Sequence, residues 1–330
     1  MKYNAWEIDS KNYPEGGVLI EKLRFFLRYA ILAPSSHNTQ PWKFSLNDNT
    51  ILVYIDLDRW LKIADSDKRE IYISIGCAIE NLLITGKYFG FSSTIDYFPQ
   101  GDDNELIASI KLHEEEFIPN KEDVALFNAI PQRHTNHNIF EDKSINEEDI
   151  ESLKALFIDD NIELYITNDS EIKKKVDDLI IQADIKQFSD PEYRNELGYW
   201  IGEGVFGTPW LISKVGKIIV KYTDQGKKTA AKDEKELLSA SHLAVITSKD
   251  NSRLSQIKSG QFYERLALKA TEKEIRTHPM SNILELPEIK QEIKSLIPEK
   301  NVFPQHTFRL GYAEADKHSP RRDLNEVLIE

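Results

Sequence analysis

Two long helical patterns, one in each half of the chain, constrain the fold more than any other feature. The first contains Gly76-x-x-x-Glu80 and the second Gly260-x-x-x-Glu264, and each continues with a leucine two residues later. Each pattern follows a predicted strand region and precedes another. These residues also coincide at helical spacing by chance, so the match alone leaves both an internal duplication and a coincidence open.

Hydrophobic periodicity predicts that helices and strands alternate along the chain. The predicted helices are 15–33, 67–89, one starting at Lys121, 146–157, 169–188, 191–201 and 252–273. The predicted strands are 44–46, 51–56, 107–112, 162–167, 243–247 and 307–312. The first two strands flank an Asn-Asp-Asn turn and are expected to form a hairpin. Ser144 or Asn146 is expected to cap the helix at 146–157.

Composition excludes several classes of protein. The 330 residues carry 42 Lys and Arg against 55 Asp and Glu, a net charge of −13 that argues against nucleic-acid binding. The single cysteine, Cys77, can form neither an intramolecular disulfide nor a thiolate zinc site, which suits a reducing cytosol. No apolar signal segment precedes residue 17, and Glu80 interrupts the most apolar stretch, 71–84. We therefore expect a cytoplasmic protein without membrane anchoring that acts on a small molecule.

One short polar turn, residues 33–42, concentrates hydroxyl, amide and imidazole groups between a predicted helix and a predicted strand. Asn38 and Gln40 each offer a donor and an acceptor, and Pro34 and Pro41 restrict the backbone. Such a turn can bind the edge of a flat heteroaromatic ligand. An ordinary Asx or Ser turn has the same composition, so the residues alone leave both interpretations open.

The run 33–42, Ala-Pro-Ser-Ser-His-Asn-Thr-Gln-Pro-Trp, resembles the Ala-Pro-Ser-x-x-Asn-x-Gln-Pro-Trp signature of the FMN-dependent nitroreductase superfamily. The segment 133–137, Arg-His-Thr-Asn-His, is similar to the Arg-Arg-Ser/Thr-x-Arg segment that holds the flavin phosphate there. The tail Pro320-Arg321-Arg322 is similar to the C-terminal phosphate-binding region of that superfamily. The order of these segments resembles the long, internally duplicated Acg-like branch, over residues 15–328.

This resemblance implies an α+β fold of nitroreductase type with two related halves, 1–125 and 126–330, that form an intrachain pseudo-dimer. The turn occurs only in the first half and the arginine segments only in the second. One complete flavin site is therefore expected, with one FMN per chain. The resemblance implies either a monomer or a weak homodimer.

The resemblance also implies a role for each site residue. Those expected to line the flavin ring and ribityl chain are Pro34, Ser35, Ser36 and Asn38. Gln40 is expected to hold the turn by backbone hydrogen bonds. Gly260 and Gln261 are expected where the second half of the chain runs past the flavin. Those expected at the phosphate are Arg133, His134, Thr135, His137, Arg321 and Arg322, because guanidinium groups form charge-assisted hydrogen bonds and Thr135 adds a hydroxyl donor. Surface ion pairs are the alternative for the arginines.

Two histidines depart from the superfamily pattern. His134 and His137 stand where arginines are common, and a neutral imidazole brings no charge to a phosphate near pH 7. Phosphate binding is therefore expected to be weaker or more dependent on pH. Helical spacing would also place His134 and His137 together as metal ligands, but no third ligand lies nearby in the sequence, so no metal is expected.

The run Gly202-x-Gly204-x-x-Gly207 matches a dinucleotide-binding fingerprint. That fingerprint requires a preceding strand, but a helix is predicted there, so we reject a dinucleotide-binding site at this position. A mobile loop, acting as a lid, is the preferred interpretation.

The resemblance implies an oxidoreductase that transfers hydride from NAD(P)H through FMN to an electron-poor acceptor such as a nitroaromatic or a quinone. Two alternatives stay open. One is a flavin-binding or storage protein with little turnover, and the other is a flavin-free interaction protein.

Overall fold

A computed structural model describes residues 4–116, 118–156 and 158–329. The first half forms one antiparallel sheet with helices against it. Its elements are α1 (Leu19–Ala30), β1 (Trp42–Asn47), β2 (Thr50–Ile55), α2 (Arg69–Tyr88), β3 (Phe91–Tyr97), β4 (Leu106–Glu114), α3 (Lys121–Ala129) and α4 (Glu147–Lys154). The strand order is β1-β2-β4-β3, with every pair antiparallel.

The second half repeats this plan and adds helices. Its elements are β5 (Ile162–Thr167), α5 (Ser170–Ser189), α6 (Pro191–Gly202), α7 (Trp210–Tyr222), α8 (Gly226–Ser239), β6 (His242–Ser248), α9 (Arg253–Glu272), β7 (Arg276–Pro279), α10 (Pro287–Leu296), β8 (Phe303–Gly311) and α11 (Leu324–Val327). The order β5-β6-β8-β7 is again antiparallel throughout. Each half places its long helix, α2 or α9, between its second and third strands. The predicted α+β fold with two related halves is confirmed.

The two long helices cross at the glycines that the sequence singled out. A Cβ atom on Gly76 would lie 2.1 Å from the carbonyl oxygen of Ile257, and one on Gly260 would lie 2.0 Å from that of Ile73. No side chain fits at either position, because real Cβ atoms do not approach a backbone oxygen so closely. The shared glycines therefore let the backbones of α2 and α9 touch.

One apolar core spans both halves. Phe26, Ile75 and Phe44 from the first half pack in the same buried cluster as Ile257 and Phe308 from the second. Burial of this shared cluster stabilises the two halves together rather than separately.

The hairpin predicted around the Asn-Asp-Asn turn is confirmed, with Phe44 opposite Val53. Asn146 caps α4 by accepting a hydrogen bond from the Asp149 N–H at 2.8 Å. Phe157, the predicted end of that helix, lies outside the described residues. Sequence patterns did not predict β3, β7, α7, α8, α10 or α11. Helix α6 precedes the Gly-rich segment, which agrees with rejecting a dinucleotide-binding turn there.

α7 carries an apolar stripe that the rest of the described chain does not cover. Its exposed apolar side chains are between 47% and 72% accessible: Trp210, Leu211, Ile212, Val215, Ile218, Ile219 and Tyr222. Lys214, Lys217 and Lys221 lie beside the stripe. None of the helices within the described ranges has the length and apolar content that a bilayer crossing requires.

Candidate functional site

A cavity of about 420 Å³ lies where the turn after α1, helix α2, the segment 133–137 and the second-half helices meet. Its volume falls within the range of cofactor and small-molecule sites. Of the residues predicted for the site, those that line this cavity are Pro34, Ser35, Ser36, Asn38, Arg133, His134, Thr135, His137 and Arg321.

The turn at residues 35–40 has an unusual backbone. His37, Asn38 and Gln40 have φ values of 47°, 52° and 53°, a region that residues other than glycine rarely occupy. Hydrogen bonds hold this conformation, because the Gln40 N–H donates to Ser35 Oγ at 2.9 Å and the Ser36 N–H to Ser74 Oγ at 3.3 Å. The turn therefore presents a fixed surface to the cavity.

Asn38 ties three separate segments together. Its Nδ2 donates to the carbonyl oxygens of Val205, at 2.7 Å, and Pro320, at 2.9 Å. Its Oδ1 accepts from Arg321 Nη1 at 3.0 Å. The side chain thus uses its polar atoms within the protein, and it positions the turn, the loop after α6 and the C-terminal segment around the cavity.

Two buried arginines that line the cavity converge on one backbone carbonyl group. Arg133 Nη2 and Arg321 Nη2 donate to the Leu32 carbonyl oxygen at 3.3 and 3.0 Å, and the two residues are only 2% and 3% exposed. Arg133 Nη1 and Arg321 Nε have no hydrogen-bond partner among the described residues. Unsatisfied N–H groups on buried cations are costly, and an anionic ligand would satisfy them.

The charge around these arginines is incompletely balanced. Glu264 is the nearby carboxylate, with Oε1 3.3 Å from Arg133 Nε. Burial, together with the neighbouring Arg133, lowers the pKa of Arg321 to about 9, and burial raises the pKa of Glu264 to about 7. The Arg321 shift has the sign expected where two buried cations share too little negative charge, whereas the Glu264 shift reflects burial, which the two arginines oppose. An anion bound between the arginines would raise the pKa of Arg321 again.

His134 lines the cavity with both ring nitrogens occupied. Its Nδ1 lies 3.0 Å from the Gln132 carbonyl oxygen, and its Nε2 accepts from the Asp316 N–H at 2.9 Å. These contacts define a neutral ring, and burial lowers its pKa further. His134 therefore positions the segment 314–318 and has no N–H free for a phosphate.

His137 lies in a different part of the cavity, against the second-half sheet. Its ring centroid is 4.2 Å from that of His278, and Glu236 completes a group whose ligand atoms lie within 4.8 Å of one another. Glu236 already pairs with Lys232 at 2.8 Å. The segment 133–137 is extended rather than helical, so the helical spacing assumed for a His134–His137 pair is wrong.

Four predicted site residues do not line the cavity. Gln40 is fully buried, where its Oε1 accepts from the Arg322 N–H at 2.7 Å. Arg322 forms an ion pair with Asp56 at 3.1 Å and donates to backbone carbonyl oxygens, so it braces the C-terminal segment. Gly260 belongs to the helix crossing. Gln261 hydrogen-bonds with Tyr97 Oη at 2.8 Å on another side of α9.

A second part of the cavity, with acidic side chains, was not predicted from the sequence. Asp184 on α5, Asp233 on α8 and Glu285 before α10 line it, together with Phe188 and other apolar side chains. A signal for Asp184 was present, since Val176, Ile180, Asp184 and Phe188 follow one another at four-residue spacing. That places a carboxylate on the apolar face of a helix, where it is expected to have a specific role.

Comparisons with known proteins extend the resemblance along nearly the whole chain. No family model matches it. "Putative NAD(P)H nitroreductase Rv3131" of Mycobacterium tuberculosis H37Rv is 25% identical over 323 residues, covering 93% of this chain and 91% of that protein. "Putative NAD(P)H nitroreductase acg" of the same strain is 24% identical over 324 residues, covering 95% and 97%.

Among solved structures, an FMN-bound nitroreductase from Desulfitobacterium hafniense DCB-2 has a TM-score of 0.43 at 12% identity, covering 62% of this chain and 96% of that one. The two mycobacterial proteins match this chain over nearly its whole length and nearly the whole of their own. The resemblance to the long Acg-like branch of the nitroreductase superfamily is therefore confirmed.

Proposed function

We propose that this protein is an FMN-dependent oxidoreductase of nitroreductase type. The observation that carries the proposal is the pair of buried arginines, Arg133 and Arg321, which line a cofactor-sized cavity beside the turn 34–38 and have N–H groups without a partner among the described residues. These residues fit a ligand with an anionic end and a flat polar body, as FMN has. The relatives named as NAD(P)H nitroreductases support the same assignment.

In this proposal each residue has a physical task. Arg133 and Arg321 hold the phosphate, and Thr135 adds a hydroxyl donor from the same cavity wall. Pro34, Ser35 and Ser36 present the wall of the turn to the ring and ribityl chain, while Asn38 fixes that wall in place. Bound FMN would supply hydride transfer between NAD(P)H and an electron-poor acceptor such as a nitroaromatic or a quinone. The surrounding protein excludes water from the ring.

We also propose one FMN per chain and a division of the chain at 125/126, with α3 crossing that division. The single occurrence of the turn and of the arginine pair supports one flavin site. The two sheets support the division, since β1–β4 lie before it and β5–β8 after it. A monomer or weak homodimer in the cytoplasm stays part of the proposal.

A flavin-storage protein is the competing function, and one contact favours it. Val205, in the loop after α6, accepts a hydrogen bond from Asn38 at 2.7 Å, and Phe206 lies edge-on to His37 with ring centroids 6.1 Å apart. This loop therefore rests on the turn that would face the flavin. A loop that stayed there would restrict access of NAD(P)H to the ring.

The visible spectrum of the purified protein, before and after anaerobic addition of NADPH or NADH, separates the two functions. An oxidoreductase will lose the absorption band of oxidised flavin rapidly and recover it when an acceptor is added. A storage protein will stay yellow. A chain that remains colourless after incubation with FMN would contradict both functions and favour the flavin-free interaction protein.

A further inference from the structure

The charges along the cavity are segregated. Arg133 and Arg321 line one end, while Asp184, Asp233 and Glu285 line another part, formed by α5, α8 and the segment before α10. The charges acting on Arg321 are those of Arg133 and Glu264, whereas those acting on Asp184 are Asp233 and Lys232. The two groups therefore belong to separate electrostatic environments within one cavity.

Among the described residues, cations act on the acidic end without forming ion pairs with it, Lys232 on Asp184 and Asp233 and Arg69 on Glu285. None of Asp184, Asp233 and Glu285 forms an ion pair within the described ranges of the chain. Lys232, which also lines the cavity, is engaged with Glu236 at 2.8 Å. Glu70, the remaining acidic residue on the cavity wall, is likewise satisfied by Arg69 at 2.6 Å.

Asp184 provides the observation that points to a ligand. It is only 3% exposed, its Oδ1 accepts from Asn282 Nδ2 at 2.8 Å, and its Oδ2 has no hydrogen-bond partner among the described residues. Burial, reinforced by Asp233, raises the pKa of Asp184 to about 8. An unsatisfied buried carboxyl oxygen at a cavity wall is costly unless a donor from the ligand reaches it.

Two aromatic side chains lie at this end. Phe188 and Tyr193 line the cavity with their ring centroids 5.5 Å apart, and the three carboxyl groups act on Tyr193. Aromatic faces attract both flat rings and cations. The ligand that suits these walls combines an aromatic ring with a positively charged donor group.

We propose that the acidic end is the substrate subsite and that it selects aromatic acceptors carrying a cationic nitrogen group, with Asp184 as the specificity-determining residue. This assignment rests on the proposed function, because it takes the arginine end as the phosphate site and leaves the acidic end for the acceptor. Asp233 adds negative potential, Glu285, whose pKa burial raises, adds a polar wall, and Asn282 orients the Asp184 carboxylate.

The test uses three flat probes that differ in charge: benzamidinium, benzamide and benzoate. Each is titrated calorimetrically into the full chain loaded with FMN at pH 8, where Asp233 is ionised and Asp184 is partly ionised. Because a hydrogen bond to a charged group contributes about 1.5–3 kcal/mol, wild type is expected to bind benzamidinium roughly tenfold or more tightly than benzamide. Benzoate is expected to bind least well.

Asp184→Asn is the decisive variant, since it keeps the shape and can still accept from Asn282. It is expected to bind benzamidinium and benzamide within about threefold of each other, with FMN affinity unchanged. Asp178→Asn, on an exposed part of the same helix, is the matched control and should retain the wild-type preference. Asp233→Asn, which should weaken the preference, replaces Asp184→Asn if the latter does not fold.

Equal binding of benzamidinium and benzamide by wild type would overturn the proposal, as would a preference that survives in Asp184→Asn or disappears in Asp178→Asn. The same titrations on the chain without FMN separate this inference from the proposed function. If wild type takes up no FMN yet prefers benzamidinium, the flavin assignment fails and the cation-selective end stands.

Discussion

At the scale of single residues, the cavity depends on side chains whose charges the protein does not balance. Buried arginines normally have every N–H paired, yet Arg133 Nη1 and Arg321 Nε lack a partner within the described residues. Conversely, the buried Asp184 forms no ion pair within the described part of the chain, and its Oδ2 has no hydrogen-bond partner there. Both ends of the cavity therefore carry a free-energy cost that a ligand of opposite charge would reduce.

The first prediction concerns the phosphate. Arg133→Ala is expected to weaken FMN binding by about 1.5–3 kcal/mol, roughly 10- to 150-fold, because it removes a charged hydrogen bond. Fluorescence titration of FMN measures the effect. Arg133→Lys should give an intermediate affinity, since it retains the charge but loses the planar fork. Arg24→Ala, at an exposed position of α1, serves as the control. Unchanged affinity in Arg133→Ala would remove this residue from the site.

The second prediction follows from the pKa of Asp184, which burial raises from 3.8 to about 8. Between these values the folded chain keeps a proton that the unfolded chain has lost, so this residue makes stability fall as pH rises from about 4 to about 8. Without a ligand, the Tm of Asp184→Asn should fall less over this interval, by several degrees. Parallel Tm profiles in the variant and wild type would show that Asp184 does not titrate as a buried group.

At the scale of elements, the crossing of α2 and α9 is the contact most sensitive to substitution. Gly260→Ala would place a methyl group 2.0 Å from the Ile73 carbonyl oxygen, and backbone cannot move aside as a flexible side chain can. A loss of about 1–3 kcal/mol in the free energy of unfolding is expected. Urea denaturation measures it, with Gly16→Ala as control because nothing lies within 4 Å of that position. A change no larger than that of the control would refute close contact.

Elements with strong local signals were predictable from sequence, whereas those that depend on their neighbours were not. The β1–β2 hairpin and the Asn146 cap follow from turn and capping chemistry. α7 was missed because it is rich in β-branched residues and contains Gly216, which favour helix weakly. α8 was missed because its surface is predominantly polar.

The same distinction applies to the candidate site. A resemblance of short segments pointed to Arg133, Arg321 and the turn 34–38, and the structure places all of them at one cavity. The resemblance could not show that Arg321 lines the cavity while Arg322 does not, because the Asp56 that pairs with Arg322 lies far away in the sequence. Likewise, Asp184, Asp233 and Glu285 come together only through the packing of three separate segments.

At the scale of the whole molecule, the shared core predicts that the halves unfold together. α2 and α9 bury residues of one cluster, so either half alone would lose its packing partners in that cluster, although the second half also has a smaller cluster of its own. Denaturant unfolding followed by far-UV circular dichroism and by tryptophan fluorescence should give coincident transitions. Two separated transitions would show that the halves are independent.

The stoichiometry of flavin is a second property of the whole molecule. One FMN per chain is expected, since the arginine pair and the turn 34–38 each occur once. Absorbance of released flavin, divided by protein concentration from amino-acid analysis, gives the ratio. Arg321→Ala should lower this ratio at limiting FMN, whereas Arg24→Ala should not. A ratio of two would contradict a single asymmetric site.

The glycine crossing also bears on how two similar halves can become different. In a symmetric pair of identical chains, one mutation alters both sides of the contact at once, and both binding sites with it. In a single chain, Gly76 and Gly260 are inherited separately, so each side can change while the other stays fixed. Both positions still carry glycine, whereas the turn 34–38 and the Arg133–Arg321 pair each exist once. The contact that joins the halves is thus symmetric in its glycines, whereas the cavity is not.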